Sequence, residues 1–301
     1  MPNISAPHGP IEYAVEGEGL PLVLICGLGS QMIRWSPEFR QTLVGHGFQV
    51  IRFDNRDTGL SRNYADGPTP DLKAVFRLLR SGGTPDLAYR LTDLADDAVL
   101  LLDHLGVQRA HILGVSMGGF IAQHLAARHP ERVDTLTLVM TSTGNPALPP
   151  PSAEAQAFMA KKGGDEAGDE AGAGDLVEQA IANALVICSP AYPPDPARLR
   201  ARAAAEIERA HLPSGYVRQR AAILADGDRS AMVKGIRAPT LVIHGTADPL
   251  IPHQGGEELA ALIPGAQLRL IEGMGHEIPE ALAAGIAAAV AELAKRPEAA
   301  G

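Results

Sequence analysis

Gly114-Val115-Ser116-Met117-Gly118 decides how this chain is read, because of what stands on either side of it. Upstream, His111-Ile112-Leu113 closes a short apolar run that reads as a buried strand. Downstream, the run from Gly119 to Arg128 has helical spacing. A serine on the sharp turn between a buried strand and a helix has the placement of a catalytic nucleophile. Such a turn strains the serine, and side chains two residues away on either side would collide; hence Gly114 and Gly118. With 32 glycines in the chain the bare pattern is weak, and the flanking strand and helix give it weight.

Composition sets the frame. At 301 residues the chain has room for one large α/β domain with an inserted subdomain, or for two modest domains. Hydrophobic content of 46% and charged content of 20% describe an ordinary soluble globular protein. The formal charge of -9 argues against nucleic acid or an anionic membrane as partner, since both would repel it. Cys26 and Cys188 lie far apart and make no metal spacing; a reducing compartment is the default, with a bridge left open. Met1-Pro2-Asn3-Ile4-Ser5 has neither a basic nor an apolar leader region. The long apolar stretch at 281–293 is mostly alanine and carries Glu292, which argues against a membrane span. The expectation is a cytoplasmic protein, monomer or homodimer.

Outward from the opening motif, strands and helices alternate. Glu12-Tyr13-Ala14-Val15 reads as an antiparallel strand, and Pro21-Leu22-Val23-Leu24-Ile25-Cys26 as a fully buried one. A third strand is expected at 48–53, after a helix at 39–46. Residues 91–105 have helical periodicity, with Thr92 as candidate N-cap and Gly106 where the helix should stop. Further strands are expected at 133–140, 240–244 and 267–271, and helices at 255–262 and 279–295. Continuously apolar strands alternating with helices indicate an α/β fold, a parallel sheet covered on both faces. The alternation breaks at 141–234, which opens on Asn145-Pro146-Ala147-Leu148-Pro149-Pro150-Pro151, unfit for a sheet interior. That region reads helical at 153–161, 176–187, 196–210 and 216–225. Between the first two helices, 163–174 has no apolar residue larger than alanine and reads as a flexible surface loop. Residues 1–140 and 235–301 are therefore expected to form a core domain, and 141–234 an inserted helical cap.

A serine hydroxyl is a poor nucleophile near neutral pH and needs a base within reach, itself oriented by a carboxylate. In strand–turn–helix serine enzymes the chain order is serine, acid, histidine. Asp248 follows the strand ending at His244, and His276 follows the strand ending at Ile271. Ser116, Asp248 and His276 thus all stand past the carboxyl ends of strands, where open parallel sheets assemble their sites. The competing readings are a turn or N-cap role for Asp248 before Pro249, and a plain loop place for His276. His253 shares the loop of Asp248 and is badly placed to reach Ser116; His244 should end a buried strand. His111, His124 and His129 frame the motif's helix as structural residues, and no pair has metal-site spacing. Negative charge on a carbonyl oxygen needs two backbone donors. The amide of Met117 at the helix N-terminus is one candidate, and that of Leu28, in Gly27-Leu28-Gly29-Ser30, is the other. A plain strand-ending turn is the competing reading for the second.

With these residues in hand, the chain resembles the α/β-hydrolase superfamily along nearly its whole length. Within it, three segments resemble the aclacinomycin methylesterase-like group of esterases. They are Cys26-Gly27-Leu28-Gly29-Ser30-Gln31-Met32-Ile33-Arg34-Trp35, Phe53-Asp54-Asn55-Arg56-Asp57-Thr58-Gly59-Leu60-Ser61, and Gly114-Val115-Ser116-Met117-Gly118-Gly119. The resemblance implies an eight-stranded, mostly parallel sheet flanked by helices, a helical cap after the sixth strand, and Ser116, Asp248 and His276 as the catalytic triad. It implies an architectural role for the middle segment, with Arg56 and Ser61 holding loops beneath the site. Cys26 departs from the pattern, standing where many members carry histidine before the oxyanion glycine; backbone donors would survive that change.

The leading expectation is a hydrolase of carboxylic esters acting through a covalent acyl-serine, with no metal and no cofactor required. Phe158, Met159, Leu185, Ile187 and Tyr192 in the cap point to a small-molecule ester of apolar or moderately bulky character. Serine at 116 argues against the haloalkane dehalogenases and epoxide hydrolases of this scaffold, which use aspartate there. A cofactor-free haloperoxidase or perhydrolase, a thioesterase and a carbon–carbon bond hydrolase would keep the same residues. A ligand receptor on a hydrolase scaffold is the alternative of another class.

Overall fold

The computed structural model describes residues 2–162 and 172–295. It opens with β1 (Asn3–Ala6), β2 (Gly9–Glu16), β3 (Leu20–Ile25), α1 (Pro37–Gly45) and β4 (Phe48–Phe53). Next come α2 (Leu72–Arg80), α3 (Leu91–His104), β5 (Ala110–Val115), α4 (Met117–Arg128) and β6 (Val133–Val139). Among the described residues helices alone follow: α5 (Ala153–Lys162), α6 (Ala173–Ile187), α7 (Pro196–Arg209), α8 (Pro213–Asp226) and α9 (Ser230–Val233). The sheet then resumes with β7 (Thr240–Gly245), α10 (Gln254–Leu262), β8 (Gln267–Ile271) and α11 (Glu280–Ala294). The eight strands are ordered β1-β2-β4-β3-β5-β6-β7-β8. β1 and β2 pair antiparallel, β2 runs antiparallel to β4, and all later pairings are parallel.

β3 shows why a central strand can be apolar at every position. Leu22 lies level with Val50 on β4 and with His111 on β5, so both edges of the strand are paired. Alternation then sends Val23 and Ile25 into one core, beside Leu94, Leu101, Ile121 and Leu125 of α3 and α4. Leu22 and Leu24 enter the opposite core, with Phe39 and Leu43 of α1 and Ile286 and Val290 of α11. Both faces are buried, and no polar alternation survives. β8 has a neighbour on one side only, and its Leu268 and Leu270 remain exposed.

Helix ends follow local chemistry with one correction. Ser36 Oγ accepts the N–H of Phe39 at 3.1 Å, and Pro37 takes the first turn of α1. Gly106, at φ 68°, ends α3 as the sequence predicts. Thr92 is not the cap of that helix. Arg90 precedes it, and Asp93 reaches back to accept the Arg90 N–H at 2.7 Å, which places Thr92 inside the first turn. The 163–174 tract falls at 163–171 outside the described residues. Gly172 stands as the N-cap and Ala173 and Gly174 open α6, so the loop reading does not extend to them. Cys26 and Cys188 are both unpaired thiols. No helix among the described residues is long and apolar enough to cross a membrane.

Candidate active site

β5 ends at Val115 and α4 begins at Met117, leaving Ser116 alone on the turn with φ 54° and ψ -121°. Its backbone is fixed from three sides. Ser116 N–H donates to the Val139 carbonyl at 3.1 Å, and its own carbonyl accepts from Gly119 N–H at 2.9 Å and from the Thr141 hydroxyl at 2.8 Å. A Cβ on Gly114 would fall on the Gly118 carbonyl oxygen. A Cβ on Gly118 would fall on the carbonyl of Ile25 in β3. The two glycines are required by backbone approach, one within the turn and one across the sheet.

The loops after β7 and β8 bring two more side chains to the same rim. His276 Nε2 lies 2.9 Å from Ser116 Oγ, and His276 Nδ1 lies 2.7 Å from Asp248 Oδ2. The other carboxylate oxygen of Asp248 accepts the N–H groups of Leu250 and Ile251, each at 2.9 Å. Burial by itself would raise the pKa of Asp248. The facing charge of His276 and the hydrogen bonds from His244 and His276 outweigh burial and hold the carboxyl well below the usual carboxylate range. His244, one residue before the end of β7, is fully buried, yet it does more than fill the core. Its Nε2 is 2.8 Å from the Ile251 carbonyl and 3.4 Å from Asp248 Oδ2, so it braces the Asp248 loop. Sequence reasoning missed this; the four-residue spacing of His244 and Asp248 across one tight loop was the available signal. Of the other histidines weighed from the sequence, His111 meets Thr135, His124 meets Asp226, His129 meets Asp96 and His253 lies 3.8 Å from Glu257.

The two candidate oxyanion donors flank the serine. Met117 is the first residue of α4, where backbone N–H groups have no partner within the helix. Gly27 packs so closely that a Cβ on it would lie 3.2 Å from Ser116 Cβ and 3.6 Å from Oγ, which brings the Leu28 turn beside Ser116. That turn is pinned by polar side chains. Gln219 of α8 accepts the Gly29 N–H at 2.8 Å, and Asn55 donates to the Cys26 carbonyl at 3.1 Å. Cys26 itself is buried, and burial pushes its thiol pKa up, away from reactivity.

The segment after β4 is the fastening. Arg56 holds Asp97 of α3 at 2.6 and 2.9 Å, and Ser61 Oγ donates to the Asp54 carbonyl at 2.6 Å while accepting the Glu12 N–H at 2.9 Å. Asp57 is fully buried and receives Arg218 of α8 at 2.8 and 3.0 Å together with the Tyr89 hydroxyl at 2.8 Å. Above these residues opens a cavity of about 1590 Å³ whose wall includes Ser116, His276, Leu28 and Met117. Helices α5 and α6 and the segment beyond them contribute Phe158, Met159, Ile187 and Tyr192 to it. Leu185 does not belong to that wall. It lies on the outer face of α6 and is exposed.

Comparison with known proteins identifies the fold. Residues 21–280 match the family model described as alpha/beta hydrolase fold. Rhodomycin D methylesterase DnrP of Streptomyces peucetius is 30% identical over 93% of this chain and 94% of its own. RutD of Variovorax paradoxus, named as a candidate carbamate hydrolase, is 29% identical over 89% of both chains. Among solved structures, the enol-lactonase from Burkholderia xenovorans LB400 superposes with a TM-score of 0.74 at 22% identity, covering 98% of this chain and 100% of that one. With the sheet order, the helices on both faces and a family match spanning most of its length, the chain belongs to the α/β-hydrolase fold family.

Proposed function

We propose that this carboxylic-ester hydrolase acts through an acyl-serine intermediate, with Ser116 as nucleophile, His276 as base and then acid, and Asp248 as orienting carboxylate. The single observation that supports it is the unbroken line from Ser116 Oγ to His276 Nε2 at 2.9 Å and from Nδ1 to Asp248 at 2.7 Å. As Oγ adds to the ester carbonyl, Nε2 takes its proton and then gives it to the departing alkoxide. Water next adds to the acyl carbon, its proton passes through Nε2 to Ser116 Oγ, and the acid leaves. Asp248 fixes Nδ1–H and stabilises the transient imidazolium. The amides of Met117 and Leu28 receive the negative oxygen, and every step is carried by these groups. Residues 141–234 act as the cap over the core formed by 1–140 and 235–301, and the apolar wall of the cavity suits a small-molecule ester. The rhodomycin D methylesterase relative makes methyl esters the first substrates to try.

Nitrophenyl esters from acetate to palmitate, assayed on wild type and on Ser116→Ala, test the reading. Turnover should fall by about 10⁴- to 10⁶-fold in the variant. Equal hydrolysis by the two proteins would place the nucleophile elsewhere. A paraoxon-type reagent should add a single mass that maps to Ser116.

A further inference from the structure

Among the described residues, Arg202 in the cavity wall forms neither a hydrogen bond nor an ion pair. Helix α7 turns Leu199, Arg202, Ala203 and Glu206 to one side, at spacings of three and four residues. Leu199 and Ala203 are buried there, and Arg202 is half-buried in the lining of the cavity that holds Ser116 and His276. An arginine drawn that far from solvent ordinarily meets a carboxylate. The nearby carboxylates are taken. Glu206 pairs with Arg34 at 3.1 Å, Glu280 with Arg198 at 2.6 Å, and Glu277 accepts the Ser189 N–H at 3.0 Å. Among the described residues Arg202 has no hydrogen bond or ion pair. Burial, then the like charge of Arg34, pull its pKa down by more than the charges of Glu206, Glu277 and Glu280 raise it.

We propose that Arg202 determines specificity by gripping an ionised carboxylate on the substrate, so that the preferred ester carries a second, free acid group away from the scissile bond. The proposal rests on the ester-hydrolase reading of Ser116. A guanidinium offers a planar fork of donors that matches a carboxylate in two parallel hydrogen bonds. The surrounding wall supplies apolar contact through Phe158, Met159, Ile187 and Tyr192, so a half-ester of a dicarboxylic acid fits it at both ends. The chain's formal charge of -9 repels anions at a distance, so selection for an anion has to be made at contact.

Monomethyl esters of dicarboxylic acids with five to ten carbons, aliphatic and aromatic, are compared with the matching dimethyl esters. The readout is the ratio of kcat/KM for the monoanion to that for the neutral diester. Arg202→Gln should lower this ratio at least about tenfold, chiefly through KM, and Arg202→Glu should lower it further. Arg202→Lys should keep part of it, because charge remains and the fork is lost. A ratio within twofold of wild type in both Arg202→Gln and Arg202→Glu overturns the proposal, as does a parallel loss on both esters, the mark of a merely structural arginine. Calorimetric titration of a monomethyl ester into Ser116→Ala, with and without Arg202→Gln, reads binding apart from turnover. If wild type cleaves none of these esters, the reading of Ser116 fails while this titration still decides Arg202. If neutral esters turn over in a Ser116-dependent way and neither ratio nor binding moves, the Arg202 proposal fails alone.

Discussion

Ser116 holds an L-residue where glycine is at home, and strain of that kind costs about 1–3 kcal/mol when the surroundings enforce it. Ser116→Gly should therefore resist urea better than Ser116→Ala by about 1 kcal/mol, after allowing for glycine's greater unfolded freedom. Equal midpoints would mean that the turn stores nothing. Asp248 makes a second prediction. Its folded pKa lies below the ordinary carboxylate value, so its ionisation adds stability in full above a pH of about 3.9, and the addition is lost as pH falls through the lower, folded value. Asp248→Asn should lower the urea midpoint at neutral pH, and the gap to wild type should close only below a pH of about 4. A gap that widened on acidification would reverse the sign and refute the account. Turnover of Asp248→Asn should drop by about 10⁴-fold, because the imidazole tautomer is no longer fixed.

At the scale of elements, legibility follows from how local each requirement is. The β5–α4 turn was legible because its glycines answer to backbone only a few residues or one strand away. β3, β5 and β7 were legible because burial on both faces leaves apolar runs such as those at 22–25, 112–113 and 241–243, and β4 and β6 because their few polar residues are outnumbered by buried apolar ones. β1 escaped notice at four residues with Ile4 as its one buried side chain, and α2 because it buries little beyond Val75 while Phe76 and Leu78 face solvent. Asp248 and His276 could be chosen by chain order and strand ends; the bracing by His244 was passed over despite its spacing from Asp248, since a buried histidine at a strand end reads as core. The Asp57–Arg218 pair joins residues 161 apart, a contact that only the folded chain brings about. It makes a prediction of its own. Arg218→Ala strands a fully buried carboxylate and should cost about 3–5 kcal/mol in urea unfolding, far more than loss of an exposed pair such as Arg128–Asp96. Gly118→Ala should cost about 1–3 kcal/mol, since the Ile25 carbonyl it meets is strand backbone.

Across the whole molecule, the helices between β6 and β7 are joined to the His276 loop by main chain as well as by packing. His276 N–H donates to the Ile187 carbonyl at 2.8 Å, and Gly275 N–H donates to Ser189 Oγ at 2.8 Å. Ser189→Ala leaves a buried N–H without its acceptor and lets the imidazole drift. Turnover should fall about 10- to 100-fold in protein that is still folded by circular dichroism. An unaltered kcat would show that the loop is held well enough from the core alone. The same tether limits how interchangeable the parts of this scaffold are. An engineer who transplants a foreign lid between β6 and β7, hoping to import a new substrate range, also removes the acceptors that seat the imidazole. Only grafts that keep the 187–189 corner should emerge active.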